Sequence, residues 1–305
     1  KMFNRISCLL VMSVSGANPN GDPENEGRPR TLSDQRGHIS AVSIKRKIRD
    51  FFGDHTSEGF IQFCEENKID PEKFFIFESK TKGFETDNPV EAKNMALKMI
   101  KDNENEALQR FYDLRIFGGT VLEGKEEEEE GTKKKKKESV RFVRTGVVTI
   151  SPAISVSPVK VIESTISKKA TLRDNLLENS NSDLAPFANK FVEHGVYVAR
   201  LGINPNYAKI SKTSDEDVEI LKKCIKYIYQ ISNSCARPAG TINFNHIWWA
   251  EHSNALGSFN ENKFFDALTP VKILNPEQSS KSNAEYKFPT PEECGFNFKV
   301  EDLAM

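Results

Sequence analysis

The chain has 305 residues, a net charge of −1, 37% hydrophobic and 29% charged residues, which fits one large or two ordinary water-exposed domains. The longest apolar stretch, Ile6–Val14, falls short of the roughly 18 residues a membrane span needs and is broken by Ser7, Cys8 and Ser13. Five scattered cysteines contain no C-x-x-C pair, arguing against zinc and, as the Ile6–Val14 stretch lacks the small-residue cleavage site of a signal peptide, for a reduced, cytoplasmic setting.

In chain order, Arg5–Val14 is rich in Val, Leu and Ile and predicts a buried strand. It enters Gly16-Ala-Asn-Pro-Asn-Gly-Asp-Pro23, a dense cluster of turn formers. Ser40 is placed to cap a helix over 41–52, with Ile44, Ile48, Phe51 and Phe52 on its apolar side and Gly53 as its stop. Residues 54–112 read as a helical insertion with Phe60, Phe63, Phe74, Phe75 and Phe77 as a small core, after which Arg115-Ile-Phe-Gly-Gly-Thr120 turns into extended chain. Glu126–Glu130 and Lys133–Lys137 form a block of acids and a block of lysines within 124–138, a pattern of solvated, mobile loop to which no chemistry is assigned. A long strand is predicted over 140–154, a second extended piece over 155–170, polar loop over 171–186, and a further strand over 190–203. Ser214 caps an amphipathic helix with Asp215, Glu216 and Asp217 in its positive first turn. Thr241–Ala250 is an aromatic-rich strand, and the segment from 270 onward has little pattern.

Without the insertions the order is strand, helix, strand, strand, helix, strand, the β-α-β-β-α-β arrangement of a ferredoxin-like, RRM-like α+β core. Such a core leaves one sheet face clear of helices and open to RNA. The predicted division is a core over 1–270, holding the insertion and a hairpin over 156–192, followed by a tail over 271–305 packed on the core or on a neighbour.

The charge is segregated: Ile44–Arg49 carries four cations in six residues, while acids gather at 65–66, 102–106 and 215–219. A local field binds phosphate whatever the total charge. The amide-rich turn with Asn18 and Asn20, then Arg28 and Arg30, then Lys45, Arg46, Lys47 and Arg49, would grip a sugar-phosphate backbone without reading bases. By composition alone the helix cations read first as the solvated face of an amphipathic helix. Arg237, in the small-residue turn Asn233–Gly240, is either a phosphate contact or part of a C-cap. His246 and His252 are six apart without a third ligand, so a packed aromatic strand face, not a metal, is expected there. No cofactor is indicated. His38, the one histidine near the basic helix, has nothing in sequence to orient it, and the RNP pattern of sequence-specific RNA binders is absent.

Asn18-Pro-Asn-Gly-Asp-Pro23, Arg30 and Ile44-Lys-Arg-Lys-Ile-Arg49 resemble the opening signature of the backbone (Cas-seven) subunit family of type I CRISPR interference complexes, in its I-B and I-C branches. Arg115-Ile-Phe-Gly118, Gly146–Ser157, His194–Arg200 and Asp215–Arg237 resemble later family segments in the same order, so the likeness spans roughly 5–270. The resemblance implies a non-catalytic, CRISPR-RNA-binding subunit that polymerises head to tail within Cascade and meets target DNA through the guide. It also places a thumb hairpin at Val159–Lys169 with its return near Lys190. There Lys160, Lys168 and Lys169 would touch phosphates, Ile162 and Ile166 would either wedge against a base or form ordinary hairpin core, and Arg115 joins the RNA set. The alternative is a guide-directed RNA nuclease of the type III kind, with Asp22 or Asp34 assisting attack or holding a metal.

Overall fold

The computed structural model describes residues 2–78, 86, 88–124, 139–169 and 184–305. The acidic and lysine blocks of 125–138 lie outside the described residues, as do the side chains of Ile166, Lys168 and Lys169.

The molecule is α+β. Its strands are β1 (Ile6–Ala17), β2 (Gly21–Asp22), β3 (Arg28–Pro29), β4 (Arg36–Ile39), β5 (Gly118–Gly124), β6 (Ser139–Thr145), β7 (Val148–Ile150), β8 (Ala153–Pro158), β9 (Val161–Lys169), β10 (Leu184–Ile203), β11 (Ile242–Glu251), β12 (Val271–Lys272), β13 (Tyr286–Lys287) and β14 (Glu301–Asp302). The helices that matter for its packing are α1 (Ala41–Phe52), α2 (Glu58–Asn67), α3 (Pro89–Asp102), α4 (Glu104–Arg110), α5 (Tyr112–Phe117), α6 (Ala208–Ser211), α7 (Asp215–Cys224) and α8 (Glu261–Leu268). Among the described residues no helix is long and apolar enough to cross a membrane.

The main sheet runs β14-β11-β1-β10-β8-β4, with β7 and β9 also paired to the long β10. Every pairing in it is antiparallel; β1 meets β10 at Ile6↔Ile203 and Met12↔Tyr197, and meets β11 with a register shift at Val11/Met12. β1 is buried without interruption from Ile6 to Val14, so its alternating side chains supply two cores. Ile6, Cys8, Leu10, Met12 and Val14 face α1 and α7, through Ile44, Ile48, Phe51, Phe52, Val218, Leu221 and Cys224. Leu9 and Val11 face Phe264, Phe265, Leu268 and Tyr286. A third cluster, around Leu97, Leu108, Phe111, Leu114 and Phe142, holds the insertion and the β5–β6 hairpin together.

Both capped helices form as the sequence predicts. The Ser40 hydroxyl accepts from the Ser43 amide at 3.2 Å, and Ser214 and Asp217 close a reciprocal capping box. Four expectations are corrected. First, the sheet face expected to stand open is covered by α8 and by the chain after 270, whose Phe288, Phe296, Phe298 and Val300 pack against it. The aromatic residues there are irregularly spaced, so no helical or strand period announces them. Second, Phe60, Phe63 and Phe74 join the main core, leaving only Phe77, with Phe75 packed on it, in the insertion's cluster. Third, Arg115 lies on α5, one short helix further than expected, and extended chain begins at Gly118. Gly118 has φ +70°, and a Cβ on it would collide with the Arg144 carbonyl, so a glycine is required where α5 breaks into β5. Fourth, the strand expected over 140–154 is three pieces, interrupted where Gly146 crosses the Phe117–Gly118 backbone and at Pro152.

Candidate nucleic-acid interface

The turn after β1 folds back on itself. β2 and β3 pair at Gly21↔Pro29 and Asp22↔Arg28, closed by Gly27 N–H to the Asp22 carbonyl at 2.8 Å. Glu26 and Gly27 both take positive φ, +49° and +73°, at the tip. The amides expected to face outward are largely spent on this architecture. Asn18 Nδ2 donates to the Gly27 carbonyl at 2.7 Å, and Asn20 Oδ1 accepts from the Ser40 amide at 2.8 Å, tying the turn to the start of α1. Asn18 Oδ1 is buried with no partner.

The Arg237 turn docks directly on this loop. The Asn18 amide donates to the Ala236 carbonyl at 2.8 Å, and Arg237 Nη1 reaches the Asn18 carbonyl at 3.5 Å. The turn itself is closed by reciprocal Ser234 and Arg237 backbone bonds of 3.0 and 2.9 Å. Segments more than two hundred positions apart thus form one surface. Lys47 stands near Arg237, and burial followed by that guanidinium holds its ammonium below the usual lysine range. Burial, then Arg49, does the same to Lys45, whose Nζ sits 5.0 Å from the centre of the Phe117 ring. Arg46 is the most open cation of α1, its side chain 67% exposed, and pairs with Asp50 at 2.6 Å; Lys47 shares that carboxylate at 3.3 Å.

Arg30 pairs with Asp22 at 3.1 Å, Arg28 with Glu163, and Lys160 with Glu193 at 3.6 Å. Ile162 is half-buried in β9, opposite Phe191 of β10. Arg49 and Arg115 turn inward. Arg49 meets buried Asp113 at 3.0 Å and Glu78 at 3.1 Å. Arg115 clamps Asp217 at 2.7 Å and donates to the carbonyls of Lys73, Leu108 and Gln109, joining the insertion to α7. No local pattern distinguishes these two arginines from their exposed neighbours; the acids that take them lie far away in the chain.

Asp22 and Asp34 are each engaged by a guanidinium, Arg30 and Arg36 respectively, and the Arg36 contacts hold the Asp34 carboxyl below its usual range. Among the described residues no group of three or more His, Cys, Asp and Glu side chains is arranged to hold a metal ion. His246 stacks on Trp248 at 4.4 Å and bonds Asp302 at 2.7 Å, while His252 stacks on Phe259 at 3.7 Å. This is the packed aromatic face expected of that strand.

The scaffold is that of an α+β protein with an antiparallel main sheet, in which the turn after β1, the start of α1 and the turn before β11 meet. The family model of CRISPR-associated protein Cas7 matches residues 4–290, and the chain belongs to that family. Similar solved structures include "CRISPR RNA-guided surveillance complex, pre-nicking", at 12% identity and TM-score 0.46 over 87% of this chain and 83% of that one. Another is "CRISPR RNA-guided surveillance complex", at 12% identity and TM-score 0.41 over 87% and 76%. No curated protein matches the chain.

Proposed function

We propose that this chain is a non-catalytic, CRISPR-RNA-binding backbone subunit of a type I interference complex, of the I-B or I-C kind, assembling head to tail with its own copies and with other Cascade subunits. The observation that carries the reading is that the Asn18–Arg30 loop is tied to the start of α1 by the Ser40 amide donating to Asn20 Oδ1, and to the Arg237 turn by the Asn18 amide donating to the Ala236 carbonyl and by Arg237 Nη1 donating to the Asn18 carbonyl, so that Arg30, Arg46 and Arg237 stand on joined segments. Arg28, Arg30, Lys45, Arg46, Lys160 and Arg237 form the proposed RNA contacts, while Lys47, as buried as Arg49 and paired with Asp50, serves the interior together with Arg49 and Arg115. Contacts of this kind grip phosphate and leave sequence to guide pairing with target DNA. The β9–β10 hairpin takes the part of the thumb. A ferredoxin-like core is supported by the neighbours β11, β1, β10 and β8, fourth-first-third-second in order of use, with α1 and α7 after the first and third. A heterologous interface repeated along a guide gives an open filament.

The test is RNA binding across a salt series. The Arg46→Glu/Arg237→Glu double variant is expected to bind single-stranded RNA more weakly and to lower the log–log salt slope by about 1.4, at about 0.7 per lost phosphate contact. Affinity and slope equal to those of the unaltered chain would remove this surface from the interface.

A further inference from the structure

Two charges from the loop tip and two from the hairpin form a quartet of alternating sign joined by two ion pairs. In the loop, Glu26 and Arg28 are two residues apart. In the hairpin, Glu163 of β9 and Lys190 of β10 are direct cross-strand partners, their backbones paired in antiparallel register. Arg28 pairs with Glu163, and Lys190 pairs with Glu26 at 2.6 Å. The quartet is built asymmetrically. Lys190 is only 8% exposed, whereas Glu26, which comes to meet it on a left-handed turn residue, is 86% exposed. A buried ammonium with an exposed carboxylate across its mouth keeps its charge satisfied while leaving the carboxylate open to exchange. Arg28 and Glu163 are each 44% exposed, so that pair too is reachable from solvent.

We propose that Glu26 and Glu163 act as internal stand-ins for phosphate, latching the loop to the β9–β10 hairpin in the RNA-free chain, and that an RNA backbone opens the latch by taking their places on Lys190 and Arg28. This rests on the RNA-binding reading above and adds to it a regulation of the same surface: binding is an exchange of anions, and the hairpin is released as the RNA seats. The Arg28–Glu163 pair is half-exposed on both sides, and the Lys190–Glu26 pair keeps its carboxylate in solvent, so both are open to exchange without melting the hairpin.

The experiment measures RNA affinity by fluorescence anisotropy, and backbone hydrogen exchange over 161–164 and 190–193, on the full chain. The chains compared are the unaltered one, Glu26→Gln, Glu163→Gln, the double variant, and Glu24→Gln as a control removing a charge from the same loop outside the quartet. Each quartet substitution is expected to tighten binding about threefold at low salt, and the RNA-free double variant to show the faster hairpin exchange of the RNA-bound unaltered chain. The Glu24→Gln chain should match the unaltered one in both. Equal affinities among chains that do bind RNA, or an equal gain in Glu24→Gln, overturn the latch and leave the RNA reading standing. Loss of RNA binding in every chain removes the RNA reading and the opening step with it. Hairpin exchange unchanged in the double variant removes the latch itself.

Discussion

Arg46 and Arg49 sit three positions apart on one helix and have opposite employment. Arg46 extends into solvent and meets Asp50, a partner one turn away. Arg49 meets Asp113, a carboxylate 1% exposed whose pKa burial pushes up even with the guanidinium beside it. Asp113 also accepts from the Phe77 amide at 2.8 Å, so it fixes the Phe77–Glu78 stretch within the insertion. Removing one member of a buried pair strands the other charge, whereas removing an exposed cation costs little. Arg49→Ala is therefore expected to destabilise the fold by about 3–5 kcal/mol, and Arg46→Ala by less than about 1 kcal/mol. Urea denaturation of both variants checks this, and comparable losses would place Arg49 on the surface. At this scale the sequence shows that both residues are cations but not which is free, since Asp113 is 64 positions away from Arg49.

At the scale of elements, the capped helices were legible because their signals are local: a hydroxyl before the first turn and an apolar stripe at helical spacing. The cover over the second sheet face was not. It is built from α8 and an irregular segment whose aromatic rings meet each other as much as the sheet, with Phe264 contacting Phe259, Phe265, Phe296 and Phe298. β1 itself carried a clue, for apolar residues at both odd and even positions leave no face fit for water. Phe264 is wholly buried, so Phe264→Ala is expected to cost about 3–5 kcal/mol, through lost transfer energy and the cavity left behind. Loss of less than about 1 kcal/mol in equilibrium unfolding would mean that the cover lifts without disturbing the core.

For the whole molecule, the buried histidines couple folding to pH. His194 spans Ser280 and Asn283, and His252 Nδ1 accepts the Ser258 amide at 2.8 Å while Nε2 faces the Ser7 hydroxyl at 3.1 Å. Burial holds both pKa values below the ordinary 6.5; near His252, Glu261 opposes that shift and Arg5 adds to it, and near His194 Asn283 and Glu285 oppose it. The unfolded chain therefore takes up more protons in acid, so this stabilisation is complete above 6.5 and fades as pH falls through that value. The urea midpoint should drop between neutral pH and about pH 5.5 with the slope unchanged, and a flat midpoint would show these rings protonate freely in the fold.

Features that depend on near neighbours along the chain were legible in the order of residues: the buried first strand, the helix from Ala41 to Phe52, the tight turn between Asn18 and Arg30, and a concentration of positive charge beside it. Which cations stay available depends on how distant segments fold together. Their carboxylate partners arrive from 64 to 164 positions away, as with Asp113 for Arg49, Asp217 for Arg115 and Glu26 for Lys190. Coulomb attraction acts through space and is strongest where water is excluded, and neither distance nor dryness is written in the order of residues along the chain.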